Sequence, residues 1–280
     1  MDSELKNRLM SMVDQMPPFP KSVHRVIQLT NDVNCAPKDL VQVIEYDPVI
    51  TIKLLKLVNS AYFALTRSVS SVRHAVVYLG LNTVKNLALS IATVSSLPRK
   101  SSAEFDINKF LLHSLTTASI AQRLAKDYLK RSDGGDFFVA GLLHDFGKVV
   151  LVQFMPEEFG RAIIMAREEN INLHDAEMKI IGANHTEIGA MLAEKWELPE
   201  DLILCIRNHH TPNALDAIDD CIFAADQVSK RLEFGFSGNP IIEAFPEHIV
   251  QRFGMDLDGM IESLGDMRGE VEKAESFIYM

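Results

Sequence analysis

The most apolar stretch of this 280-residue sequence runs from residue 137 to residue 155, and its centre reads Gly141-Leu142-Leu143-His144-Asp145-Phe146-Gly147-Lys148. A membrane span would not carry an imidazole, a carboxylate and an ammonium group in its middle, so we expect a buried helix, over about residues 136–154. Adjacent helical residues point about 100° apart, so His144 and Asp145 cannot both reach solvent while their apolar neighbours are buried. A buried acid needs a cation, several N–H donors or a metal. Taken alone, such a pair is more often a hydrogen-bonded couple than a metal site.

The rest of the sequence is also patterned as helix. Apolar residues recur at spacings of three and four, and no pair of alternating runs is joined by Asn-Gly or Asp-Gly. Pro37 suits a first helical turn, and Asp47-Pro48 opens another helix. A long helix is expected over residues 105–130. The sequence therefore predicts an all-α protein.

Two polar, breaker-rich stretches divide the chain, one at residues 98–103 and one at residues 235–240. We predict an N-terminal helical subdomain over residues 1–98, a helical bundle over 104–235 and a C-terminal helical tail over 240–280. The tail carries a heptad-type apolar stripe, made of Leu257, Met260, Leu264, Met267, Val271, Ala274 and Ile278. We interpret this stripe as a helix docked on its own domain, with a homodimer contact and a frayed tail as alternatives.

Composition and charge exclude several classes of protein. Hydrophobic residues make up 47% and charged residues 24%, which is typical of a globular protein, and the net charge of −10 argues against nucleic-acid binding. The sequence does not open on an apolar segment, so we expect no signal peptide and no membrane partner. Cys35, Cys205 and Cys221 lack CxxC spacing, which predicts free buried thiols in a cytoplasmic protein. A nucleophilic pair of Cys205 with His209 is the alternative.

Further imidazoles and carboxylates fall on other predicted helices. His113 lies on the long helix, His185 opens a helix, His209-His210 ends one, and Asp226 lies in the middle of another. These ligand types suit Zn, Fe, Mn or Ni, and their distribution over separate helices is what metal sites in helical bundles require. Of the four other histidines, His24, His74 and His174 are interpreted as surface, hydrogen-bonded or helix-capping residues.

The order His113, His144-Asp145, Asp226 resembles the ligand signature of the HD superfamily of metal-dependent phosphohydrolases, and His185 with His209-His210 resembles its two-metal version. The N-terminal half is similar to the HDOD family, a bacterial signalling branch of that superfamily. The motifs that carry this second resemblance are Pro17-Pro18-Phe19-Pro20, Asp47-Pro48, Leu54-Leu55-Lys56-Leu57-Val58-Asn59-Ser60-Ala61-Tyr62-Phe63 and Ser70-Ser71-Val72-Arg73-His74-Ala75-Val76-Val77-Tyr78-Leu79-Gly80-Leu81. Together the motifs cover about residues 16–231.

The resemblance implies an N-terminal helical subdomain packed on an HD-type bundle that binds divalent metal. Carried over, the ligands are His113, His144, Asp145 and Asp226 for a first metal, and Asp145, His185 and either His209 or His210 for a second. Two cations would clamp a phosphoryl group and activate a bridging water, and Lys148 would stabilise charge on phosphate oxygens. The expected catalytic residues are Asp145 and Lys148, and the expected ligand is a phosphoester or nucleotide. For Lys148 the alternative is an exposed lysine near a helix end.

The sequence departs from part of the pattern. Relatives that cleave cyclic dinucleotides follow the double histidine with an acidic and Gly-Tyr-Pro motif, whereas this chain reads His209-His210-Thr211-Pro212-Asn213-Ala214. That substrate is therefore not expected. The HDOD family also implies a regulatory output role with protein partners. The alternative function is a metal-free, non-catalytic interaction module.

Overall fold

The computed structural model describes residues 3–18, 21–30, 36–60, 63, 68–96, 101–131, 134–212 and 216–279. Cys35 and the start of the predicted linker at residues 98–100 lie outside these ranges. Within them, the prediction of an all-α protein is confirmed. The helices are α1 (Ser3–Gln15), α2 (Lys21–Thr30), α3 (Pro37–Glu45), α4 (Pro48–Val58), α5 (Val72–Leu79), α6 (Leu81–Ser96), α7 (Ile107–Asp127), α8 (Gly135–Leu143), α9 (Gly147–Phe154), α10 (Pro156–Glu169), α11 (Leu173–Ile180), α12 (His185–Lys195), α13 (Glu200–Asn208), α14 (Ala217–Arg231), α15 (Glu247–Phe253), α16 (Leu257–Leu264) and α17 (Arg268–Ile278).

Several helices begin where the capping signals predict. Asp47 accepts hydrogen bonds on Oδ1 from the backbone N–H groups of Val49 and Ile50, both at 3.1 Å, and Pro48 is the first residue of α4. Pro37 likewise opens α3. A proline at this position loses no hydrogen bond, because the first N–H groups of a helix have no partner within it.

Contacts between residues divide the chain into two compact units. The large unit contains residues 1–17 and 98–267, and the small unit contains residues 18–97 and 268–280. Helix α1 therefore belongs to the large unit, and α17 belongs to the small one. The division into a subdomain over residues 1–98, a bundle over 104–235 and a tail over 240–280 remains a prediction.

The large unit is built around α7, which packs against α8 and α14, while α12 packs against α9, α13 and α1. Two adjacent residues anchor the end of α1. The Nζ of Lys195 donates to the backbone carbonyls of Val13, Asp14 and Met16 at 2.8, 2.8 and 2.9 Å. The Nε1 of Trp196 donates to the carbonyl of Pro17 at 3.2 Å. These bonds reach carbonyls in the last turn of α1 and in the two residues after Gln15, which have no partner within the helix.

The prediction of one continuous helix over residues 136–154 is wrong. Helix α8 ends at Leu143, a turn covers residues 144–146, and α9 begins at Gly147. In the turn, the N–H groups of Phe146 and Lys148 bond to carbonyls three residues earlier, which winds the chain more tightly than an α-helix. By length and composition, the stretch Gly135–Phe154 could cross a membrane, but 89% of its most apolar 18-residue window is buried inside the protein.

A close contact between backbones explains where α9 begins. A Cβ atom added to Gly147 would lie 1.9 Å from the carbonyl oxygen of His185 and 2.7 Å from the nitrogen of Gly189. Only glycine therefore allows the start of α9 to lie against the start of α12. This contact places the His144-Asp145 turn beside His185.

The tail stripe does not form one continuous helix. Helices α16 and α17 are separated around Gly265, whose φ of 62° lies in the left-handed region that favours glycine. The predicted burial of the stripe holds at six of its seven positions, and Val271 is half-buried. The homodimer contact through this segment remains a prediction.

The small unit has an apolar interior formed by α2 to α6, and α17 packs against α6. The side chain of Asn59 ends α4 and fixes the segment that follows. Its Nδ2 donates to the carbonyls of Leu55 and Val69, both at 2.8 Å, and its Oδ1 accepts from the backbone N–H of Val69 at 2.7 Å. Asn59 therefore caps the C-terminal end of α4 and joins it to Val69.

Candidate metal centre

The seven residues predicted as metal ligands lie together in the interior of the large unit. They form two groups, and within each group the ligand atoms lie within 4.8 Å of one another, so that each could hold a metal ion. The first group consists of His113, His144 and Asp226, and the second consists of Asp145, His185, His209 and His210. His210 is half-buried and the other six are buried.

Asp145 faces both groups. Its Oδ2 lies 3.4 Å from the Nε2 of His144 and 3.9 Å from the Nε2 of His113. Its Oδ1 lies 3.2 Å from the Nε2 of His185 and 3.4 Å from the Nε2 of His209. One carboxylate therefore presents one oxygen to each group, which is the arrangement of a ligand shared by two metal positions.

Asp226 is held so that one of its oxygens faces the histidines. Its Oδ1 lies 3.1 Å from the Nε2 of His113. Its Oδ2 lies 2.9 Å from the Nζ of Lys230, one helical turn away on α14, and accepts from the Nε2 of Gln227 at 3.0 Å. The orientation of this carboxylate is therefore fixed by its own helix.

Backbone carbonyls orient two of the imidazoles. The Nδ1 of His144 lies 2.7 Å from the carbonyl oxygen of Gly141, and the Nδ1 of His209 lies 2.8 Å from that of Ile206. A carbonyl can only accept, so Nδ1 carries the proton in both rings. In the neutral ring, Nε2 then presents its lone pair to the carboxylates, which is the form that binds metal.

Side chains orient two more imidazoles. The Nδ1 of His113 lies 3.3 Å from the hydroxyl of Ser229 on α14. The Nδ1 of His185 lies 2.6 Å from Oε2 of Glu177 on α11, and its Nε2 lies 2.9 Å from the Nε2 of His210. All four rings thus direct Nε2 into the same interior region.

The atoms that point into this region lack hydrogen-bond partners among the described residues. They are the Nε2 atoms of His113, His144 and His209, and the Oδ1 of Asp145. Buried polar atoms in proteins are nearly always satisfied, so each exception requires an explanation. Unpartnered imidazole nitrogens beside carboxylates fit a divalent cation.

The electrostatics give most of these groups the charge states that metal ligands need. Burial alone would raise the pKa of the Asp145 carboxyl, but the Lys148 ammonium group, together with His144 and His185, outweighs it and holds that pKa well below its usual range. Burial is likewise outweighed at Asp226, where Lys230 and His113 together lower the pKa of the carboxyl. Burial lowers the pKa of His113, and it lowers the pKa of His209 to about 4. The carboxylates are therefore ionised and these imidazoles neutral near pH 7, as metal binding requires.

His185 differs from the other imidazoles. Burial favours its neutral form, but the Glu177 and Asp145 carboxylates together more than compensate, so that the pKa of His185 is raised. Its ring lies between two carboxylates, those of Glu177 and Asp145.

Lys148 is buried, so its interpretation as an exposed lysine near a helix end is wrong. It lies in the first turn of α9, and its Nζ donates to Oδ2 of Asp145 at 2.5 Å. The turn at residues 144–146 directs the side chain inward. The catalytic role of Lys148 remains a prediction.

Three residues near the centre were not predicted from the sequence. Glu177 shares the buried face of α11 with Leu173, and an acid on an apolar face is a signal that could have identified it. Lys230 follows Asp226 by four residues, the spacing of a helical ion pair. His174, interpreted as a capping residue, stacks on His210 with ring centroids 4.5 Å apart.

The alternative of a nucleophilic Cys205 is not supported. Burial, together with Asp219, raises the pKa of the Cys205 thiol well above its ordinary value, and the nucleophile of a thiol is its thiolate. Cys205 and Cys221 are free and buried, as predicted. His24 and His74 lie on α2 and α5 of the small unit, outside both ligand groups.

The fold and the site define an all-helical protein with a buried histidine–aspartate centre of the HD type. Residues 16–212 match the sequence model of the HDOD domain. The chain belongs to the HDOD family.

Solved structures and a curated relative resemble this chain over most of its length. An HDOD domain protein of unknown function from Geobacter sulfurreducens is 27% identical with a TM-score of 0.80, covering 97% of this chain and 96% of that one. A Marinobacter aquaeolei VT8 protein, provisionally named a signal transduction protein, is 25% identical with a TM-score of 0.76, covering 99% of this chain and 65% of that one. An uncharacterized protein of Treponema pallidum (strain Nichols) is 27% identical over 252 residues. The match covers 90% of this chain, which spans about half (48%) of that relative.

One further structure shows the fold alone. A protein from Shewanella amazonensis SB2B, provisionally named a phosphohydrolase, is 24% identical with a TM-score of 0.72, covering 96% of this chain and 97% of that one.

Proposed function

We propose that the protein is a cytoplasmic bacterial signalling protein whose large unit binds two divalent metal ions and hydrolyses a phosphoester. The observation that carries this proposal is the position of Asp145, which turns one oxygen to each group of imidazoles. The free thiols of Cys205 and Cys221 are the basis for a cytoplasmic location.

The two groups supply four ligands for each metal when Asp145 is counted in both. His113, His144 and Asp226 would complete the first set, and His185, His209 and His210 would complete the second. Imidazole and carboxylate ligands suit Mn, Fe, Zn or Ni. When bound, the metal ions would supply a Lewis acid for the phosphoryl group and an activated water.

The protein's own side chains support this chemistry in two ways. The ammonium group of Lys148 lies on Oδ2 of Asp145, where it can also stabilise negative charge on a phosphate oxygen. Six of the seven ligands are buried, which excludes bulk water from them and strengthens electrostatic interactions. These features favour a phosphoester or nucleotide as the ligand.

Family membership and similarity to a named relative support the proposed signalling role. The chain belongs to the HDOD family, and the Marinobacter aquaeolei relative is provisionally named a signal transduction protein. We therefore expect protein partners that respond to the state of the centre.

A second candidate function is a metal-free interaction module. The ion pairs Lys148–Asp145 and Lys230–Asp226 favour it, because they neutralise both carboxylates without a metal. Metal content separates the two candidates.

Turnover tests the proposed activity. The protein reconstituted with each metal should hydrolyse at least one member of a panel of phosphodiesters and nucleotides, and chelation should stop the reaction. His144→Ala should abolish turnover while the protein stays folded, whereas His74→Ala, an exposed histidine of the small unit, should not change it. Full metal occupancy without turnover on any substrate would contradict the proposed hydrolysis and would favour a metal-binding signalling protein without catalysis.

A further inference from the structure

Glu177 is a buried acid that lies outside the predicted ligand set. Its Oε2 accepts two hydrogen bonds from one residue, the backbone N–H of His185 at 2.8 Å and the ring Nδ1 of His185 at 2.6 Å. A single oxygen therefore fixes both the main chain and the ring of His185.

The position of His185 in its helix explains why it needs this partner. His144 and His209 bond through Nδ1 to carbonyls three residues earlier, so the preceding turn orients their rings. His185 is the first residue of α12 and has no preceding helical turn that could supply such a carbonyl. The acceptor comes instead from α11.

Contacts on both sides of the His185 backbone, together with Glu177, orient the ring of His185. The carbonyl of His185 lies against Gly147, and Glu177 holds the N–H of the same residue. With Nδ1 on Glu177, Nε2 faces Oδ1 of Asp145 at 3.2 Å.

The negative charge of Glu177 also bears on metal binding by His185. The first ligand group contains the carboxylate of Asp226 in addition to the shared Asp145, whereas the second contains Asp145 alone. Glu177 places an anion behind the ring of His185. A carboxylate bonded to the far nitrogen of a metal-binding histidine raises the basicity of that histidine.

We propose that Glu177 is a positioning residue that fixes the ring of His185 and, through it, the second metal position. This inference rests on the proposed two-metal function. It predicts that the two metal positions depend differently on Glu177.

Metal titration of the metal-free protein by calorimetry tests this dependence with Mn²⁺ and Zn²⁺. Wild type should bind two equivalents. In Glu177→Gln, which keeps an acceptor but removes the charge, the second equivalent should bind roughly 10- to 100-fold more weakly, and the first should be unchanged. Two equivalents with wild-type affinities in this variant would overturn the proposal.

Glu187 provides a matched control on the same helix. Its Oε2 accepts from the backbone N–H of Asn184 at 3.3 Å in the capping box of α12, and no hydrogen bond joins it to the ring of His185. Glu187→Gln should therefore leave both affinities unchanged. An equal loss in Glu187→Gln and Glu177→Gln would mean that Glu177 only caps the helix, which contradicts a positioning role.

Proton NMR of the metal-free protein, with nitrogen-15 in its histidines, tests the ring contact independently of metal. The Nδ1 proton of His185 should give a far-downfield, slowly exchanging resonance, assigned by its loss in His185→Gln. The resonance should disappear in Glu177→Ala and persist in Glu187→Ala. Its absence from wild type, or its persistence in Glu177→Ala, would overturn the proposal. If the resonance behaves as expected but wild type binds no metal, the proposed function fails and the positioning of His185 stands.

Discussion

The interiors of the two units differ in the side chains that they bury. The large unit buries histidines, aspartates and Lys148 at its centre. Among the described residues of the small unit, Lys85 is the one buried side chain that can titrate. The surfaces of the two units also differ. Among the described residues, all the large apolar side chains that are more than half exposed lie in the small unit. They are Tyr46, Val49, Ile52, Val77, Tyr78 and Tyr279.

This difference indicates a division of labour. Buried titratable groups cost stability unless they are paired, so they are retained where they serve chemistry or ligand binding. Exposed apolar side chains mark a protein-binding surface where they form one contiguous patch, whereas scattered ones are normal. We therefore propose that the chemistry belongs to the large unit, and that protein partners bind the small unit.

The largest effect on stability is expected at Lys148. Lys148→Met leaves the buried Asp145 carboxylate without its cation and should lower the free energy of unfolding of the metal-free protein by about 3 kcal/mol. Urea unfolding with a chelator measures this loss, and saturating divalent metal should reduce it. The control is Lys179→Met, which breaks an exposed ion pair with Glu169 and should cost less than about 0.5 kcal/mol. Equal losses in the two variants would contradict the assigned role of the buried pair.

A glycine-to-alanine substitution should have opposite effects on stability in the two units. Gly147→Ala places a Cβ against the carbonyl of His185 and should lower the free energy of unfolding by roughly 1–3 kcal/mol. Gly269 lies in α17 of the small unit with no atom within 4 Å of an added Cβ, so Gly269→Ala should raise it by about 0.5–1 kcal/mol. Thermal unfolding measures both changes, and a neutral Gly147→Ala would show that the start of α9 is not fixed by α12.

The pH dependence of stability should identify a buried carboxyl outside the centre. Burial, with Asp216 nearby, raises the pKa of Asp219 from 3.8 to about 6. The folded protein then holds more protons than the unfolded chain between these values, so this group's contribution to stability is lost as pH rises from about 4 to 6. Asp219→Asn should be more stable than wild type at pH 7.5, by about 1 kcal/mol, and the difference should vanish near pH 4. Parallel stability curves would contradict this.

The smallest effect is expected on the surface of the small unit. Val49 and Ile52 are exposed on α4, so replacing both with serine should change the free energy of unfolding by less than about 0.5 kcal/mol. Metal binding should be unchanged. A loss of metal in this variant, measured by elemental analysis, would break the proposed division between the units.

The sequence predicted the fold class and the candidate ligands because both depend on residue types and their order. Apolar spacing marked the helices, and the histidines and aspartates stood out against apolar neighbours. The break at residues 144–146 was missed because it depends on the contact between Gly147 and the carbonyl of His185, residues far apart in the chain. Glu177 was missed for the same reason, since its hydrogen bonds to His185 follow from how α11 and α12 pack.

The tail was predicted only in part. The stripe correctly marked buried positions, since spacings of three and four are preserved within each short helix. It could not show that the helix ends at Gly265, whose φ of 62° glycine adopts without steric strain. Nor could it show that α16 and α17 pack in different units.

The central claim is that Asp145 is shared by two metal positions, and elemental analysis tests it most directly. After reconstitution with Mn, Fe, Zn or Ni and removal of free metal, wild type and the exposed control Asp127→Ala should each hold about two equivalents per chain, and Asp145→Ala should hold almost none. Less than about a tenth of an equivalent in wild type, or wild-type metal content in Asp145→Ala, would contradict the account.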